Sequence, residues 1–120
     1  MTVAGRIILG LPFGVFGIIH MLNGPTMAAY VPAFIPGPGA LWVYVTGVIL
    51  LASSLAILSN RYVFQAGIAL ACLMGIFVLT IHIPGVMNPE GMQMAMGQLL
   101  KDTALGGGAL TLAAYSRKRI

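Results

Sequence analysis

Long uninterrupted apolar runs alternate along the chain with short polar breaks. Four runs stand out, at roughly 4–22, 41–59, 62–83 and 97–116. A helix needs roughly 20 apolar residues to cross the hydrocarbon core of a bilayer, and each run approaches that length. The breaks are a long connection from Asn23 to Ala40, a tight turn at Asn60–Arg61, and a loop from Pro84 to about Met96. The pattern predicts an all-α fold. Residues 1–120 would form a single polytopic membrane domain, an antiparallel four-helix transmembrane bundle.

Composition agrees and narrows the class. Hydrophobic residues make up 59% of the chain and charged ones 7%, with a mean hydropathy of +1.00. A soluble domain carries about 25% charged residues, so lipid is the solvent that suits this surface. The net charge of +4 then matters by position, and no nucleic-acid partner is expected. Arg6, Arg61, Arg117, Lys118 and Arg119 fall on one side of the four-span arrangement, while Glu90, Lys101 and Asp102 fall towards the other. The positive-inside rule puts both termini in the cytoplasm, in the inner membrane of a bacterium. Arg6 precedes an apolar stretch with no small-x-small cleavage site, which predicts a retained first span rather than a cleaved leader. Cys72 is the only cysteine, which excludes an intrachain disulfide or CxxC redox pair. It reads as a small packing residue.

Small residues recur at helical spacing. Gly10, Gly14 and Gly17 share a face of the first run, and Gly67, Ala71 and Gly75 do so in the third. Thr103, Gly107 and Thr111 form a similar row in the fourth. Close backbone approach through such residues holds helices together in lipid. Pro12 should kink the first helix.

The candidate chemistry gathers at the outer end of this arrangement. His20 closes the first span there and His82 the third, while Trp42 opens the second. Asp102 lies about 7–8 Å into the fourth span at 1.5 Å per residue. A straight helix puts His82 two turns beyond Gly75, on the small-residue face. Asp102 shares a face with Gly106, Ala109 and Ala113, and Trp42 with Thr46 and Ser53. His82 and Asp102 are therefore expected to meet in a polar pocket, as a structural pair or as candidate catalytic groups, since ionisable residues inside membranes are expensive. His20 would be an interfacial anchor or a pocket wall. Trp42 would belong to the aromatic belt or form a wall beside Thr46. Lys101 is expected to snorkel to the surface and Glu90 to be solvated.

Three chemistries can use these residues. A quinone needs an apolar slot, an aromatic wall and hydrogen-bonding groups at its carbonyl oxygens, and His82 with Asp102 could take up protons from a quinol. His20 and His82 could supply two axial ligands to a haem. Met87, Met92, Met94 and Met96 near His82 offer thioethers to copper(I), although adaptable apolar filler is the commoner use of methionine. The chain shows no phosphate-binding glycine loop, nucleophile elbow or pair of catalytic carboxylates. The triple glycine Gly106–Gly108 reads as packing.

Three segments carry a resemblance: "GRIILGLPFGVFGIIHMLNG" (Gly5 to Gly24), "YVPAFIPGPGALWVYVTGVILL" (Tyr30 to Leu51) and "LLKDTALGGGALTLA" (Leu99 to Ala113). Together they resemble the DoxX family of small four-span bacterial membrane proteins, over nearly the whole chain. His20, Pro32, Pro36, Trp42, His82, Lys101 and Asp102 match positions that look characteristic of close relatives. The resemblance implies association with quinone-dependent redox assemblies, whose name derives from sulfur oxidation, but no catalytic motif that transfers residue by residue. With no flavin or cysteine motif of its own, the chain would be at most a subunit of a quinone-dependent oxidoreductase. It would work with other redox subunits or as a homo-oligomer. The expected site comprises His20, Trp42, Thr46, His82 and Asp102. The alternative is a non-catalytic scaffold that docks a partner through residues such as Tyr30 and Phe34.

Overall fold

The computed structural model describes residues 2–31 and 34–118. Pro32 and Arg119, named above, lie outside the described residues. The long helices are α1 (Thr2–Leu22), α3 (Gly39–Ser59), α4 (Val63–Phe77) and α6 (Met92–Lys118). A short α2 (Gly24–Met27) and a 3-10 turn (Ala28–Tyr30) open the connection after α1. A π turn (Val78–His82) and a short α5 (Ile83–Val86) extend α4.

Three stretches are long and apolar enough to cross a membrane: Val3–Leu22, Gly39–Ser59 and Val63–Val86. The long axis of the molecule, 44 Å, matches a bilayer with its headgroup layers, about 40–45 Å. This is a small, all-α, multi-pass membrane protein. The fourth run differs from expectation. It starts at Met92, so the end of the expected loop is already helical, and α6 reaches 27 residues. Its length suffices for a span, but Lys101, Asp102 and the glycines hold its hydropathy below that of the other three.

The helices form a ring in the order α1, α3, α4, α6. α1 packs along α3, α3 turns tightly into α4, and α4 packs along α6; α6 then meets α1 at only a few positions. Glycine sets the closest contacts. A Cβ on Gly14 would lie 2.7 Å from Ser54 Oγ, and one on Gly17 2.8 Å from Leu51 Cγ. The Ser54 hydroxyl donates to the Gly10 carbonyl at 2.8 Å, so the first glycine face is stitched to α3 as well as packed on it. In α6 the face Asp102, Gly106, Ala109 and Ala113 is buried. The row Thr103, Gly107 and Thr111 is exposed instead. Both threonine hydroxyls there donate to carbonyls of their own helix, at Leu99 and Gly107. Cys72 is also exposed rather than packed. Pro12 is exposed and α1 continues through it as one helix.

The α3–α4 turn explains how two spans meet in so few residues. Asn60 adopts φ 60° and Tyr62 φ 55°, and the Arg61 amide donates back to the Ala56 carbonyl at 2.9 Å. Asparagine tolerates this left-handed conformation at a helix end. At the same end of the bundle, Arg6 Nη1 donates to the carbonyls of Ile57 at 2.7 Å and Leu58 at 3.0 Å. Those carbonyls belong to the last turn of α3, which runs out of helical donors; the Asn60 amide reaches the Ile57 carbonyl at 3.2 Å, and Arg6 adds to it. Arg6→Leu is expected to cost about 1.5–3 kcal/mol, the worth of hydrogen bonds from a charged donor. Thermal or detergent unfolding followed by circular dichroism would read it. Arg6 and Arg61 thus cluster at one end of the bundle, the basic end.

Candidate functional site

The other end carries the site. Pro84 has no amide proton, and its ring would collide with the Thr80 carbonyl in a regular helix. The chain widens just before it: the Ile83 amide donates to the Val78 carbonyl, five residues back. This π turn, whose last residue is His82, fits one extra residue into its turn, so by its end the chain lags a regular helix by up to about 100°. Gly75 itself faces open space, so a straight helix would have carried His82 to an exposed side. The π turn brings it inward. Sequence phase therefore expected an inward His82 for the wrong reason.

Inside, the His82 imidazole donates from Nε2 to Asp102 Oδ2 at 2.6 Å. Asp102 is 5% exposed. Its second oxygen, Oδ1, lies 3.4 Å from the Lys101 ammonium, which sits 4.9 Å from the centre of the Phe16 ring. Lys101 therefore does not simply snorkel away. It bridges a buried carboxylate and the aromatic face of α1, two places where a cation is favoured. Such partners are what a carboxylate needs in order to be buried.

A cavity of about 490 Å³ opens beside this network, within the range of small-molecule sites. Phe13, Phe16, Leu50, Met74, Phe77 and Leu105 make its apolar part, and His20, His82, Gln98, Lys101 and Asp102 its polar end. His20 Nδ1 donates to the Phe16 carbonyl at 2.6 Å. In the neutral ring this leaves Nε2 as an acceptor.

The structure thus brings His20, His82 and Asp102 to one cavity. Trp42 and Thr46 do not line it. The Trp42 indole N–H donates to the Pro36 carbonyl at 2.6 Å, pinning the proline-rich connection to the start of α3, and the ring is 38% exposed. Among the four methionines only Met94 borders the cavity, while Met87 is 79% exposed. Among the described residues no group of three or more His, Cys, Asp and Glu side chains could hold a metal ion. Sequence reasoning missed Phe16 and Gln98, and gave Lys101 another role. The adjacency of Lys101 to Asp102 was the available signal for the lysine; nothing local marks Phe16 out from its apolar neighbours.

Fold and site define a small membrane protein with a polar network buried at one end of its helices. Residues 9–103 match the family described as a domain of unknown function (DUF8561), and the chain belongs to that family. The match runs from α1 into α6 and includes His20, His82 and Asp102. No curated protein and no solved structure matches the chain.

Proposed function

We propose that this protein is a quinone- or quinol-interacting subunit of a membrane redox assembly. In this reading α6 is a fourth span, the basic end faces the cytoplasm of a bacterium, and the cavity lies near the outer leaflet. The observation that carries the proposal is the cavity itself, which joins an aromatic and aliphatic slot to the His82–Asp102 pair. A quinone ring is flat and apolar, with two carbonyl oxygens that need donors. Lys101 and Gln98 supply N–H donors at the polar end, and His20 Nε2 is an acceptor suited to a quinol hydroxyl. His82 and Asp102, already sharing a proton at 2.6 Å, are placed to exchange one with the head group. Electrons would pass to or from a partner subunit. The resemblance of Gly5–Gly24 and Leu99–Ala113 to the DoxX family supports the same reading.

Haem and copper suit the residues less well. His82 would have to leave Asp102 before Nε2 could face an iron. Met87, Met92, Met94 and Met96 are all exposed, and of the four only Met94 borders the cavity.

Binding is testable with an indole inside the cavity. Phe77→Trp in a Trp42→Phe background, titrated with short-chain ubiquinone and menaquinone analogues, should show saturable quenching. His82→Ala and Asp102→Asn in that background should weaken binding by about tenfold or more, the worth of one good hydrogen bond. Linear quenching, equal in all three proteins, would mean that quinone only partitions into detergent.

The second reading, a partner-docking scaffold or homo-oligomer, draws on the exposed Thr103–Gly107–Thr111 row and on Phe34, which is 74% exposed. It requires that both substitutions leave quinone behaviour unchanged and that Phe34→Ala releases a partner.

A further inference from the structure

The ring of helices is closed unevenly. Leu9, Pro12, Phe16 and Ile19 follow one another at three- and four-residue steps and mark the edge of α1 that faces α6. Lys101, Ala104 and Gly108 mark the opposing edge. Towards the basic end this seam is shut, since a Cβ on Gly108 would lie 3.5 Å from Leu9 Cδ1. Further along, the Lys101 ammonium spans it over the Phe16 ring, at 4.9 Å. Both residues also line the cavity. Pro12, Ile19 and Ala104, which flank the seam, are exposed, so the opening looks onto an apolar perimeter.

The geometry points to a lateral portal: the cavity admits a hydrocarbon-bearing amphiphile from the bilayer between α1 and α6, and Lys101 stacked on Phe16 is its latch. The chain of such a molecule would lie among Phe13, Leu50, Phe77 and Leu105. Its polar head would stop at His82, Asp102 and Lys101. The latch suits this task. A side chain that is 41% exposed can swing on its flexible stem, whereas opening the ring at the close glycine contacts would require backbones to part. When Lys101 leaves Phe16, the adjacent Asp102 keeps it near the polar end, ready to meet an incoming head group. The inference deepens the quinone reading by naming the route and the chain-bearing class of ligand, but it does not depend on the head group's identity.

The test uses lipid as the probe. The Phe77→Trp, Trp42→Phe, Cys72→Ser protein is reconstituted in phosphatidylcholine vesicles with bromine at mid-chain, with and without Phe16→Cys and Lys101→Cys. Bromine should quench the introduced indole in the reduced double-cysteine protein. Cross-linking the two thiols with a bis-methanethiosulfonate should remove much of that quenching, and dithiothreitol should restore it. Quenching that cross-linking leaves unchanged would overturn the portal. So would quenching by aqueous acrylamide alone, because the cavity would then fill from water. Lys101→Gln, which keeps a polar side chain but drops the stacked charge, should raise bromine quenching above the parent; no rise would overturn the latch even if the cysteine pair fails to fold. A flat quinone titration with intact bromine quenching would sink the quinone reading alone.

Discussion

Replacing Gly67 by leucine is expected to destabilise the bundle by about 3 kcal/mol, while the same change at Gly75 stays within about 0.5 kcal/mol. The two glycines belong to one four-residue repeat on one helix, so sequence spacing treats them alike. Their surroundings differ. A Cβ on Gly67 would lie 2.7 Å from the Ala109 carbonyl oxygen and 2.8 Å from Ala113 Cβ, whereas one on Gly75 would meet nothing within 4 Å. The atoms met at Gly67 belong to the backbone and shortest side chain of α6, which cannot swing aside. α4 and α6 would have to separate, losing contacts at Leu70 and Met74 with them. Unfolding in mixed micelles of increasing sodium dodecyl sulfate, followed by circular dichroism, gives both numbers. Equal effects at the two positions would show that the α4–α6 contact is not where the structure places it.

The second large effect is expected at Asp102. Asp102→Leu should cost about 3 kcal/mol, because it strips a buried acceptor from His82 and the opposite charge from Lys101. Asp102→Asn keeps a carbonyl acceptor and should cost about 1 kcal/mol, with the fold preserved. The double variant His82→Leu with Asp102→Leu should recover part of the loss, since neither polar partner is then left unpaired. A coupling of about 1 kcal/mol or more between the two sites, read from the four unfolding curves, would measure the pair directly. Strict additivity would mean that the 2.6 Å contact contributes nothing to stability.

Different physical quantities made different parts of this protein legible. The transmembrane class followed from hydropathy alone, because a bilayer imposes its thickness on any chain that spans it. The boundaries of α1 and α3 came within a few residues for the same reason. The inward face of α6 was legible too. Asp102, Gly106, Ala109 and Ala113 recur at helical spacing on a straight helix, where phase carries from one turn to the next.

Phase failed where the helix was not straight. His82 is the last residue of a π turn set up by Pro84, and no count of 3.6 residues per turn carries through an inserted residue. It also could not choose between two rows of small residues on α6. Either row allows close approach, and only the packing of Gly67 on Ala109 and Ala113 decides which one α4 occupies. Trp42 and Thr46 share a helix face with buried Ser53, yet the fold gives Trp42 to the Pro36 carbonyl.

The sequence by itself determined the solvent, the helices and the short list of ionisable groups, since each follows from local hydropathy and charge. Only the tertiary structure decided that Lys101 turns onto Phe16, that His20 joins His82 and Asp102 around one cavity, and that the ring is loosest between α1 and α6. Those are relations between residues distant along the chain. They depend on how helices of slightly different length and phase pack on one another, and a single helix pattern contains no term for that.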